Sequence, residues 1–261
     1  MMHPFRPRKS AMKHRPGPTE SSSWTVTDER VSLVRTALPP RRLALAAQPM
    51  PLEIDLARTA LVVVDMQNDF CHPEGWFGAK GIDLAPVRKP IPVIARLVDG
   101  LRGAGARIVW LNWGIRADRA NLPPSVLWRG KRDPAMAGYS DAGRHGPILV
   151  EGGWGAALID EFKAGPDDLV VHKQRLSGFW DSPLDSILRQ AGITTLLFAG
   201  INTDRCVFST LQDAGFAGYD CVLVEDACGT PSPDYVSDAI LFLVRQLHGF
   251  TTAADALLAP L

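Results

Sequence analysis

Thr195-Leu196-Leu197-Phe198-Ala199-Gly200-Ile201-Asn202-Thr203-Asp204-Arg205-Cys206-Val207 reads as a strand that runs through a glycine turn into a helix. The run from Thr195 to Ile201 is apolar without alternation, which suits a strand buried on both faces. Such strands belong to parallel sheets covered by helices. Two other segments share the design. Leu61-Val62-Val63-Val64 ends on Asp65, and Val170-Val171-His172 ends on Lys173. Parallel strands deliver their C-terminal residues to one edge, where α/β proteins bind ligands. An acid, an ammonium and a thiol, far apart in sequence, are therefore expected around one pocket.

Outward from these strands the pattern is regular. Ala60 to Met66 reads as a strand and Pro86 to Ala104 as a helix, with Val87, Ile91, Ile94, Leu97, Val98 and Leu101 at helical spacing. Arg107 to Trp113 is a strand, and a helix is expected around Gly155 to Phe162 before the strand Leu169 to Lys173. Pro183 to Gln190 is a helix capped by Asp181 or Ser182. A helix over Thr203 to Ala217, a strand over Cys221 to Glu225 and a helix from Pro233 to about Leu247 complete the domain. Alternating strands and helices predict an α/β fold, a three-layer αβα sandwich on a mainly parallel, Rossmann-like sheet.

Length and charge narrow the function. The 261 residues fit one large domain, and 46% are hydrophobic, enough for a core. Formal net charge is zero, so no strong field favours nucleic acid or an anionic membrane. No apolar run approaches a membrane span. Residues 1–50 differ from the rest. Arg6, Arg8, Lys9, Lys13 and Arg15 lie among Pro, Gly and Ser without the apolar stretch of a signal peptide. This is expected to be a flexible basic arm, with Glu20, Asp28 and Glu29 weakening a targeting role. Residues 51–261 form the expected domain, interrupted at about 114–153 by a proline- and glycine-rich insert read as a lid or subunit contact. The four cysteines form no CxxC pair, which points to reduced thiols in the cytoplasm.

With Thr203 as N-cap, Cys206 becomes the third helical residue, before unpaired backbone N–H groups. That environment lowers a thiol pKa from about 8.5 toward neutrality and can hold an oxyanion. Cys221 and Cys228, in or beside a strand, read as plain core cysteines. Asp65 ends an apolar run, where a carboxylate is costly to bury without a partner. It is the candidate general base. Strand alternation puts His172 and Lys173 on opposite faces, leaving His172 as a packing or surface residue. The Lys173 ammonium would favour the thiolate and keep Asp65 ionised.

At this point Leu61 to Phe70, the Lys173 strand and Gly200 to Val207 resemble the isochorismatase-like cysteine hydrolases, over residue 55 to the C-terminus. The resemblance implies an Asp65–Lys173–Cys206 triad. It also implies a non-proline cis peptide at Ile201–Asn202 that helps aim the N–H groups of the Asn202–Cys206 turn at the oxyanion. Nicotinamidase-like members bind a metal through an Asp-x-His element and a later histidine. Here that place reads Asn112-Trp113-Gly114-Ile115-Arg116, and the six histidines show no ligand spacing, so no metal or other cofactor is expected. Members that act on isochorismate itself lack the cysteine.

The remaining cues point to ureido substrates. Ser177 to Asp185 is similar to ureidoacrylate amidohydrolases, whereas Asn121 to Arg129 is similar to biuret hydrolases. Gln246 falls where biuret hydrolases place a substrate-binding glutamine. Its carboxamide suits a urea because it donates and accepts at once. Asn112, Phe70, Trp76, Trp113 and Phe179 are candidates to shape the pocket. The expected function is a cysteine-dependent amidohydrolase of a small urea-like compound, with biuret or triuret first. Ureidoacrylate or another N-carbamoyl compound is the alternative, and a carboxylate-bearing substrate would need a cation such as Arg175 or Arg205. A catalytically silent binding protein is a further alternative. Relatives are usually dimers or tetramers, so a homo-oligomer is expected.

Overall fold

The computed structural model describes residues 14–131 and 133–261. Arg6, Arg8, Lys9 and Lys13 of the expected arm lie outside the described residues. Six strands form the central sheet: β1 (Thr59–Val64), β2 (Arg107–Trp113), β3 (Leu169–Lys173), β4 (Thr195–Ile201), β5 (Asp220–Gly229) and β6 (Phe250–Thr252). Their spatial order is 6-5-4-1-2-3 and every pairing is parallel. β1 and β4 are buried at every position, as unbroken apolar strands require in the middle of a covered sheet.

Helices supply the crossovers: α1 (Ile91–Gly103) between β1 and β2, α3 (Leu184–Gln190) between β3 and β4, α4 (Phe208–Phe216) between β4 and β5, and α5 (Asp234–Leu243) between β5 and β6. α2 (Pro124–Lys131) lies in the insert, and α6 (Ala254–Leu258) follows β6. From β1 the chain winds toward β2, but from β4 it winds toward β5. Right-handed crossovers then place the helices on opposite faces. The order reverses between β1 and β4, the switch point where such sheets open a crevice. Gly200 permits the close approach of these strands. It has φ +109°, and a Cβ there would strike the Val64 backbone.

Several elements differ from expectation for local reasons. The helix expected from Pro86 is split into Ala85–Arg88 and α1, because Pro90 cannot donate an intrahelical bond. No helix spans 155–162. One 3₁₀ turn, Trp154–Ala156, is followed by chain that pairs with the residues just after β1. There the Ala157 carbonyl accepts from the Asn68 N–H at 3.0 Å, and the Met66 carbonyl accepts from the Ile159 N–H at 3.2 Å. The N-cap of α3 is Pro183, neither Asp181 nor Ser182; Ser182 Oγ accepts the Leu184 N–H at 3.1 Å, and Asp181 pairs with Arg175 at 2.6 Å. β6 was not anticipated, since three residues are too few to display alternation.

The expected division at residue 50 falls inside an antiparallel hairpin of Arg42–Leu45 with Leu52–Asp55. Leu43 and Leu45 are buried in the core. Gln48 also bridges to Thr251 of β6, with backbone bonds of 2.8 and 2.9 Å. This part of the segment before residue 51 packs on the domain. No helix among the described residues is long and apolar enough to cross a membrane.

Candidate active site

Asp65, Asn202 and Cys206 line one cleft of about 150 Å³ at the C-terminal edge of the sheet, at the switch point. Asp65 follows β1 and leaves the strand with φ 53°, a left-handed conformation that aspartate tolerates better than most residues. Its Oδ2 accepts from the Lys173 Nζ at 3.0 Å, and its Oδ1 is buried without a hydrogen-bond partner among the described residues. Lys173, the last residue of β3, is fully buried at 0% exposure. Its ammonium also donates to the Arg175 carbonyl at 3.3 Å and sits 4.3 Å over the Trp113 ring. It stands behind Asp65 and does not line the cleft.

The Ile201–Asn202 peptide is cis. Thr203–Val207 then forms a π turn rather than the expected α-helical start, with Asn202 and not Thr203 at the N-cap, so Cys206 is the fourth helical residue. The Asn202 carbonyl accepts from the N–H groups of Arg205 at 3.0 Å and Val207 at 3.2 Å. The Cys206 carbonyl accepts from the Thr210 hydroxyl at 2.6 Å, which fixes the next turn.

The ionisation of the site departs from expectation. Burial pushes the Cys206 thiol up to about 12, and the neighbouring Asp65 carboxylate adds to this against the pull of Lys173. Burial raises Asp65 above the ordinary carboxylate value, Lys173 opposing. Burial alone would lower Lys173, but Asp65 and Cys206 together hold it above its ordinary value. The physical sense is charge balance. One ammonium neutralises one anion in this dry site, and a thiolate beside an ionised Asp65 would leave a buried negative charge unpaired. These shifts run toward a thiol beside a carboxylate, opposite in direction to the lowered thiol pKa expected from the helix start.

The walls come from two sources. Phe70, Trp76 and Phe77 follow β1, while Arg129, Gly130 and Tyr139 come from the insert. Tyr139 lies 4.9 Å from Trp113 and 5.2 Å from Trp76 between ring centroids. A Cβ on Gly130 would come within 2.8 Å of that phenol ring. Burial pushes the Tyr139 hydroxyl well above its ordinary pKa, so it stays protonated. The insert is fastened by Asp69, whose carboxylate accepts the N–H groups of Trp76 at 3.1 Å and Leu149 at 2.8 Å. Gln67 clamps the start of the insert by accepting the Trp113 N–H at 2.7 Å and donating to the Trp113 and Ala156 carbonyls, each at 2.7 Å.

Other expected pocket residues lie elsewhere. Asn112 is buried but does not line the cleft, since alternation along β2 turns it away from the face of Trp113. Phe179 packs on Tyr219 at 5.6 Å. Gln246 is exposed and outside the cleft. The α-helix ends at Leu243 and a π turn follows, so the assumed helical stripe does not continue to it. Arg175 is engaged by Asp181 and by the Gln174 and Asn121 carbonyls, whereas Arg205 reaches the cleft. Arg129 and Tyr139 were missed as site residues. Arg129 does close the Asn121–Arg129 segment that stood out in the sequence.

The profile of the Isochorismatase domain matches residues 59–255. The chain belongs to the isochorismatase family. It is 38% identical to the ureidoacrylate amidohydrolase RutB of Azorhizobium caulinodans over 214 residues, 81% of this chain and 94% of that protein. The RutB of Caulobacter segnis is 36% identical over 223 residues, 84% of this chain and 93% of its own. Among solved structures, an isochorismatase family protein from Desulfovibrio vulgaris aligns with TM-score 0.63 at 28% identity, covering 77% of this chain and 96% of its own. The N-carbamoylsarcosine amidase of Thermoplasma acidophilum aligns with TM-score 0.59 at 28% identity, covering 76% and 96%.

Proposed function

We propose that this amidohydrolase uses Cys206 to cleave the ureido C–N bond of a small N-carbamoyl carboxylate of the ureidoacrylate type. The observation that carries the reading is the buried cluster of Asp65, Lys173 and Cys206, with the acid and the thiol opening on one cleft. A urea carbonyl is a poor electrophile because two nitrogens feed it electron density, so it needs both a strong nucleophile and a place for the oxyanion. As substrate enters, Asp65 takes the Sγ proton and Sγ attacks the carbonyl carbon. Backbone N–H groups of Asn202 and Cys206 hold the oxyanion, a contribution of about 2.7–4 kcal/mol per donor. The tetrahedral intermediate collapses with cleavage of the C–N bond. Asp65 returns the proton to the departing nitrogen, leaving a carbamoyl thioester. Water then gives its proton to Asp65 and adds to the thioester. The S–C bond breaks, carbamate leaves, and the proton returns to sulfur. Lys173 keeps the site neutral through both halves.

The substrate class rests on the relatives and on the cleft. Ureidoacrylate and N-carbamoylsarcosine are both N-carbamoyl compounds bearing a carboxylate, and two arginines, Arg129 and Arg205, reach the cleft. Asn202 Oδ1 is buried there without a hydrogen-bond donor among the described residues, and a ureido NH₂ would supply one. Biuret and triuret carry no carboxylate, and Gln246, the residue that favoured them, is exposed and does not line this cleft. The test is ammonia release across ureidoacrylate, N-carbamoyl amino acids, biuret and triuret. Turnover of the acids, lost by orders of magnitude in Cys206→Ser, is the expected result. Turnover of biuret alone, or near-normal turnover by Cys206→Ser, would refute the reading.

A further inference from the structure

We infer that Arg205, the residue before the candidate nucleophile, is the specificity-determining anchor for the substrate carboxylate, and that Asp204 and Ser232 are its positioning residues. The inference rests on the reading above that the substrate is a ureido acid.

The geometry separates Arg205 from the other cations at the cleft. Its Nε faces Asp204 Oδ2 at 3.5 Å and its Nη2 donates to Ser232 Oγ at 3.2 Å. Asp204 is itself locked, its Oδ1 accepting from the Thr230 hydroxyl at 2.6 Å and its Oδ2 from the Ser232 hydroxyl at 2.8 Å. The Ser232 N–H donates to Thr230 Oγ1 at 3.3 Å, so the loop after β5 holds both hydroxyls in place. One edge of the guanidinium is thus fixed to this loop, on a residue that lines the cleft beside Cys206. A guanidinium fork suits a carboxylate, and an arginine already oriented loses less freedom when it binds one.

Arg129 reaches the same cleft from α2, but it is exposed. It attracts an anion without orienting it. Asp204 draws its two hydroxyl donors from outside the cleft and pairs with Arg205, while Lys80 and Arg129 add positive charge at the same cleft. An acidic substrate would complete the neutralisation where a neutral ureide would leave it unfinished.

The experiment compares a ureido acid with its isosteric amide, N-carbamoyl-β-alanine and N-carbamoyl-β-alaninamide. Binding is measured by calorimetry in Cys206→Ser, and turnover in the active enzyme. Arg205→Gln should weaken the acid by about 10–100-fold, the range for a hydrogen bond to a charged group. The loss should appear in KM, with the amide little changed. Ser232→Ala should move the acid in the same direction by about 2–10-fold, and Ser232→Thr should restore it. Equal loss on acid and amide, or no loss on the acid, would overturn the inference. If neither compound is turned over by the active enzyme, the functional reading fails. The acid-to-amide binding ratio in Cys206→Ser still decides the role of Arg205.

Discussion

Replacing Lys173 by methionine tests the electrostatics of the site without changing its shape much. The ammonium is fully buried and 3.0 Å from an Asp65 oxygen, itself 2% exposed. At an effective dielectric constant near 20, two unit charges at that distance attract by about 5.5 kcal/mol. Breaking a buried pair generally costs about 3–5 kcal/mol, because the remaining charge is stranded. Asp65 has an escape, since it can take up a proton. In Lys173→Met its folded pKa rises further above its unfolded value of about 3.9. A group with a raised folded pKa destabilises the fold progressively as pH climbs above the unfolded value, until the folded value is passed. The variant should therefore lose about 3–5 kcal/mol near pH 8 and distinctly less near pH 5. Urea unfolding at the two pH values, with m unchanged, measures this. Adding Asp65→Asn should recover much of the stability near pH 8 and none of the activity. An equal loss at both pH values, or no recovery in the double variant, would refute the reasoning.

Other outcomes follow from the same geometry. Because burial pushes Cys206 up to about 12, thiolate absorbance in the free enzyme should develop only toward that pH, and a rise near neutrality would contradict the charge balance. The acid limb of kcat/KM should lie above the ordinary carboxylate range, with activity falling as pH drops through the raised Asp65 value. Gly130→Ala should push on the Tyr139 ring, cost about 1–3 kcal/mol, and raise KM. Unchanged kinetics would show that Tyr139 does not shape the bound state.

The core of this fold was legible because its strands are unbroken apolar runs. β2, β3 and β4 begin and end where their residues change character. A charge closing such a run, as at Asp65 and Lys173, is a signal that survives without tertiary information. What the sequence could not convey depends on enclosure. The first turn before Cys206 suggests a lowered thiol pKa, yet burial and the nearby Asp65 reverse the sign. Gln246 was placed by extending a helical stripe, and a single π turn defeats that periodicity. The segment 155–162 lost its expected helix to pairing with Met66 and Asn68, a contact set by distant residues. Arg129 and Tyr139 sit on a proline-rich insert with no period to read, so only coordinates bring them to the cleft.

The carbamoyl thioester is the chemical heart of this account, and its trapping is the most direct measurement. The enzyme is quenched in acid during turnover of ureidoacrylate, digested, and examined by mass spectrometry. One carbamoyl group on the peptide bearing Cys206, absent in Cys206→Ser, is the expected result. Steady turnover with that peptide unmodified at every quench time, or with the adduct on Cys71, Cys221 or Cys228, would contradict it.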